Sequence, residues 1–100
     1  MKSYSITRRE AKQCVGKGWS KLIDRIYDAK PRSTHMLQIK EKYGGLRAYC
    51  GGTTNEFFDI IDQAEEESYT ICEECGEPGK PRDLGWILTL CEKHYQERLR

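Results

Sequence analysis

An α+β fold is what this sequence predicts: one small domain in which helices surround a β-hairpin, followed by a C-terminal tail of different character. Three observations carry that expectation. Apolar residues recur at helical spacing in "WSKLIDRIY" and again in "EFFDIIDQA". They alternate across "LQIKEKYGGLRAYC", on either side of a glycine pair. Beyond residue 70 both patterns stop, and cysteine, proline and glycine punctuate the chain. At 100 residues and 37% hydrophobic there is room for one domain with a modest core.

Each element has its own signal. Thr7 and Glu10 stand at capping-box spacing, which opens a short basic helix over 7–15 that Gly16 and Gly18 end. Trp19, Leu22, Ile23, Ile26 and Tyr27 form one apolar helical stripe, and Pro31 stops that second helix. In the hairpin, Leu37 and Ile39 are expected on one strand face and Leu46, Ala48 and Cys50 on the return strand's inner face. Gly44 and Gly45 supply the positive φ of the turn. Thr53 and Glu56 repeat the capping-box spacing and open a helix over 54–69, with Phe57, Ile61, Ala64 and Ser68 inward. The expected division is an α-α-β-β-α body over 1–70 and a tail over 71–100 packed on it.

Charge is abundant but balanced, at 33% of residues and a net +1. It is not evenly spread. Residues 1–40 carry ten Lys/Arg against three Asp/Glu, whereas 41–79 carry two against ten. Two solvated faces that attract each other would explain this, and so would a basic contact surface, for which Arg8, Arg9 and Lys12 on the first helix are the candidates. The N-terminus, "MKSYSITRRE", lacks the apolar stretch of a signal peptide, and no apolar run approaches the ~20 residues that cross a bilayer. The expectation is a cytoplasmic protein with reduced thiols and no membrane contact.

Five cysteines in a reducing compartment point to metal or packing. Cys72-x-x-Cys75 and Cys91-x-x-His94 form two pairs fifteen residues apart. Two intervening residues let a tight turn aim both ligands at one ion, and Cys91 and His94 also share a helix face. Three thiolates and an imidazole suit one tetrahedral Zn²⁺, and four protein ligands leave no open position, so the ion is expected to be structural. Gly76 fits the knuckle turn after Cys75. A redox dithiol fits poorly, because Glu73, Glu74 and Glu77 surround the pair and raise thiol pKa values, and it leaves the second pair unexplained. "GWILTL" reads as a strand and "CEKHYQERLR" as a closing helix, with Ile71, Trp86, Leu88, Leu90, Tyr95 and Leu99 as the tail's core. A knuckle, a hairpin and a helix whose first turn gives two ligands resemble the treble-clef class of zinc finger.

The remaining chemistry-bearing residues read blandly. Cys14 is left over from the metal pattern, Cys50 is a packing thiol, His35 is a surface or capping histidine, and Glu65, Glu66 and Glu67 point around a helix as a solvated face. Treble-clef nucleases of the His-Asn-His type carry a catalytic histidine in the hairpin, but residues 80–90 contain none and no glycine-rich phosphate loop is present. The chain is therefore expected not to be an enzyme.

Taken together, "GWSKLIDRIYD", "LQIKEKYGGLRAYC", "IIDQAEEES" and "CEECGEPG…GW…TLCEKH" resemble a group of small phage, prophage and bacterial proteins with a K-E-K-[FY]-G-G-L-R hairpin and a zinc tail. The resemblance covers about residues 16–95, and departs from the pattern where Ala48 precedes Tyr49 after "GGLR". It implies a context without a mechanism. The expected function is a non-enzymatic protein-binding module, an inhibitor or adaptor of a host nucleic-acid machine such as a restriction or CRISPR defence complex. Its partner would be a host protein or ribonucleoprotein, with weak nucleic-acid binding on the side. The alternative is a direct DNA- or RNA-binding zinc finger.

Overall fold

Thr7 opens the first helix as its spacing to Glu10 predicts. Its hydroxyl accepts the Glu10 N–H and the Glu10 carboxylate accepts the Thr7 N–H, so α1 spans Arg8–Gln13 with two end donors satisfied reciprocally. The computed structural model describes residues 5–100; Lys2, counted in the basic block, lies outside them. A single 3₁₀ turn, Lys17–Trp19, then leads into α2, Ser20–Ala29. Trp19, Leu22, Ile23 and Ile26 are buried as the stripe requires, while Tyr27 is half-buried and donates its hydroxyl to the Ile6 carbonyl.

Strands β1 (His35–Lys42) and β2 (Gly45–Gly51) pair antiparallel. The turn lies one residue earlier than the glycine pair suggests. Tyr43 and Gly44 carry the positive φ angles, 54° and 82°, as a two-residue hairpin turn of primed type demands. Gly45 is the first residue of β2 and has no positive φ. A Cβ there would meet the Tyr69 ring 2.3 Å away, so close packing and not turn geometry requires the glycine. The register also shifts between Met36 and Gln38. That bulge turns Leu37 outward, 50% exposed, and Met36 takes the inward place beside Ile39. Leu46 and Ala48 face the core as expected, with Cys50 packed at its margin.

Helix α3, Asn55–Ser68, starts one residue later than the capping-box spacing implies. Thr54, not Thr53, caps it by accepting the Phe57 N–H, and the Thr53 hydroxyl is buried with no partner among the described residues. Phe57, Ile61, Ala64 and Ser68 do line its buried face. Its polar residues are more than a solvated face. Ser68 accepts the Leu46 N–H and Glu65 the Ala48 N–H, so α3 satisfies donors along β2, and Glu67 pairs with Arg25 of α2.

The tail holds a second small cluster, in which Cys72, Leu88 and Leu90 are buried and Leu84, Cys91 and Tyr95 pack against them. Strands β3 (Lys80–Asp83) and β4 (Ile87–Leu90) form its hairpin, and α4, Glu92–Arg98, follows at once. The order of knuckle, hairpin and helix is that of a treble clef. Trp86 and Leu99, expected in this core, are instead 64% and 54% exposed, and Ile71 packs on the body's core. Hydrogen bonds that join tail to body include the Trp19 indole N–H to the Ile71 carbonyl, the Gly18 N–H to the Glu73 carbonyl, the Gly79 N–H to the Thr70 carbonyl and the Thr89 hydroxyl to the Gly44 carbonyl. Among the described residues no helix is long and apolar enough to cross a membrane.

Candidate metal centre

The knuckle presents Cys72 and Cys75 on a tight turn. The Gly76 N–H closes it onto the Cys72 carbonyl, and Gly76 takes a φ of 84° that a Cβ would resist. The Cys72 N–H bonds the Glu77 carbonyl, which fixes the turn's base. The second pair is set by a helix end. Cys91 is the N-cap of α4, with its sulfur 3.5 Å from the His94 N–H, and His94 lies in the first turn with Nδ1 toward the same point. A two-residue gap on a turn and an i, i+3 pair at a helix start thus converge from opposite sides.

The four ligand atoms all lie within 4.8 Å of one another. Cys75 Sγ and Cys91 Sγ are 3.8 Å apart, and His94 Nδ1 is 3.6 Å from Cys72 Sγ and 3.2 Å from Cys91 Sγ. A tetrahedral ion with metal–sulfur bonds of about 2.3 Å places neighbouring sulfurs about 3.8 Å apart. A disulfide would need about 2.05 Å, and all five cysteines are free. The set therefore fits one tetrahedral metal ion, and no disulfide is present among the described residues.

At Cys72 the electrostatics favour the thiolate. Burial pushes the Cys72 thiol up, but the backbone N–H groups of Cys91, Glu74 and Cys75 outweigh it and bring it down to about 7. At Cys75 the Glu77 N–H favours the thiolate, while desolvation and the neighbouring Cys72 and Cys91 sulfurs raise the pKa. A cation among these sulfurs would remove the mutual repulsion, which is what a metal supplies. Nearby carboxylates are engaged elsewhere. Half-buried Glu73 turns from the sulfurs to accept the Thr89 N–H, burial raises its pKa, and Glu74 pairs with Arg98 at 2.9 Å.

Helix α4 itself points to the ion. Its seven residues include none that is buried, and so short a helix does not hold itself in water. Besides Cys91 and His94 it is braced by Tyr95, which packs on the tail's buried cluster, by Arg82, which stacks 4.4 Å from the centre of the Tyr95 ring and pairs with Glu92, and by the Arg98–Glu74 pair. The Arg98–Glu74 pair is a surface contact of small worth.

The other sequence candidates are scattered. Arg8 pairs with Asp24 and Asp28, and Lys12 pairs with Asp24 at 2.8 Å. Arg9 is exposed, with no ion pair among the described residues. Two of the three expected partner-binding cations are thus spent clasping α1 to α2. His35 is an exposed residue bonded to Ser5, and burial raises the Cys50 thiol. Sequence reading missed Gly16 and Gly18, where a Cβ would come within 2.1 and 2.0 Å of the Glu73 and Cys72 carbonyl oxygens. They do follow α1, but their requirement is the backbone-to-backbone approach of knuckle and body, for which only the paired glycines gave a signal. No family model, curated protein or solved structure matches the chain.

Proposed function

We propose that this protein is a non-enzymatic binding module fastened by one structural zinc ion, held by Cys72, Cys75, Cys91 and His94. The carrying observation is the convergence of three sulfurs and one imidazole nitrogen at tetrahedral spacing. That donor set suits zinc above harder divalent ions, and it leaves no position for a reacting water. The ion's work is then architectural.

What it steadies is a pair of hairpin tips. The β1–β2 and β3–β4 turns stand side by side, tied by the buried bond from the Thr89 hydroxyl to the Gly44 carbonyl. Tyr43 and Trp86, 68% and 64% exposed, flank a cleft of about 460 Å³ with Ile87 beside them. Rigid aromatic side chains held in water at little further entropy cost are what protein interfaces use as anchors. The partner in this reading is a host protein or ribonucleoprotein, and the module acts on it as an inhibitor or adaptor. The motif resemblance to small phage, prophage and bacterial proteins is what motivates that setting.

Affinity capture from host lysate with the zinc-loaded protein tests it. Wild type should retain a defined partner after nuclease treatment, and Trp86→Ala, with unchanged zinc content and melting, should lose it. No retained partner, or one that Trp86→Ala retains equally, counts against these tips as the interface.

A further inference from the structure

We propose that the outer face of the β1–β2 hairpin binds single-stranded nucleic acid, with Lys40, Lys42 and Arg47 on the phosphates and a base stacked on Tyr49. This goes beyond the protein-partner reading: Lys42 borders the hairpin-tip cleft beside Tyr43, but Trp86, on which the partner test turns, is not used.

The placement follows from the register. Lys40 lies opposite Arg47, Lys42 two residues further along β1, and Tyr49 two residues beyond Arg47 on β2. Period-two alternation puts these four on one face, opposite to that of buried Ile39, Leu46 and Ala48. Arg8, Lys12, Arg25, Arg82 and Arg98 have carboxylate partners. Lys40, Lys42 and Arg47 have none among the described residues. The adjacent carboxylates are already committed to backbone donors, Glu65 to the Ala48 N–H and Glu41 to the Gly44 N–H. Three cations outnumber the two neighbouring carboxylates, of which Glu65 acts on Arg47, so the strip stays net positive and its complement is a polyanion.

Ring faces decide which polyanion. Tyr49 is 43% exposed with the Lys40 ammonium 5.7 Å from its centre, so a cation and a stacking surface are presented together. Arg47 is pre-positioned, donating to the Leu46 carbonyl and the Tyr69 hydroxyl above the Tyr69 ring, with three further N–H donors left for a phosphate. Bases of a duplex have their faces occupied by one another, so a protein ring stacks only on an unpaired base. An acidic peptide would use the cations and leave the ring idle.

Fluorescence anisotropy of the full, zinc-loaded chain with oligo(dT) and oligo(U) of about 12 nucleotides tests this. Binding is expected at about 10⁻⁶–10⁻⁴ M near physiological salt, with a slope of log K on log salt of roughly −2 for three phosphates. Tyr49→Ala should weaken it about 5- to 100-fold. The double variant Lys40→Gln/Lys42→Gln should flatten the slope to roughly −0.7, with Arg47 and its contacts untouched. Lys80→Gln/Lys93→Gln, on the tail, should leave slope and affinity as they are. The inference is overturned if a duplex of equal length or polyglutamate binds as tightly, if Tyr49→Ala changes nothing, or if the tail variant loses as much as the hairpin one. These outcomes leave the Trp86-dependent protein capture unaffected, so the two readings fail separately.

Discussion

Gly45 shows how a residue can be read correctly as indispensable and wrongly as to cause. A glycine after a glycine in "KYGGLR" signals a turn, and one of the two does serve it. The other makes room for a tyrosine distant in sequence, which no local pattern reveals. Gly45→Ala should cost about 1–3 kcal/mol, as overpacking does, with no change in turn geometry. Combining it with Tyr69→Leu, which removes the ring atoms in the way, should cost less than the two single changes summed. Denaturant melts of the four proteins measure this, and simple additivity would place the constraint elsewhere. The threonine pair before α3 offers a second contrast. Thr54→Ala should cost about 1 kcal/mol through loss of the cap. Thr53→Val should be neutral or up to about 1 kcal/mol stabilising, because it replaces a buried hydroxyl without a partner. Sequence spacing favoured Thr53 because Glu56 lies three residues on; backbone geometry chose its neighbour.

Secondary structure was legible where periodicity was long and caps were present. The Trp19–Tyr27 stripe and the face from Phe57 to Ser68 are where spacing puts them. The bulge at Leu37 was not legible, since one extra residue in a strand leaves the composition unchanged while turning every later side chain over. Ion pairs between elements were equally hidden, and they alter the reading of charge. Lys12 and Arg8 hold Asp24 below the usual carboxylate range. Its contribution to stability is therefore complete above the ordinary value near 3.8 and lost as pH falls through the lower folded value. Melting temperature followed from pH about 5 to about 2 should fall less steeply in Asp24→Asn than in wild type; parallel curves would show that the α1–α2 clasp contributes nothing. Between body and tail, the approach at Gly18 predicts that Gly18→Ala lowers stability by about 1–3 kcal/mol. It should also speed zinc loss to a chelator, since its Cβ would sit 2.0 Å from the Cys72 carbonyl oxygen. An unchanged release rate would mean that the knuckle does not depend on the body.

At the scale of the molecule, a larger and a smaller hydrophobic cluster are joined by a few hydrogen bonds, and the smaller one buries none of the seven residues of α4 fully. The four ligands were legible in full, because metal geometry ties residue type to spacing more tightly than packing ties anything. What the tail presents was not legible: Trp86, expected in the core, stands at a hairpin tip because β4 contributes only Leu88, Thr89 and Leu90 to the buried side. In the proposed reading the exposed Trp86 anchor depends on a tail held in place by the ion. X-ray absorption at the zinc edge, on protein purified without chelators and with metal content measured on the same sample, tests that most directly. The account predicts one zinc per chain, with three sulfurs at about 2.3 Å and one nitrogen at about 2.0–2.1 Å, and loss of both metal and tail structure in Cys75→Ser. Clearly less than one equivalent of zinc with the tail still ordered, or a shell of light atoms only, would contradict it.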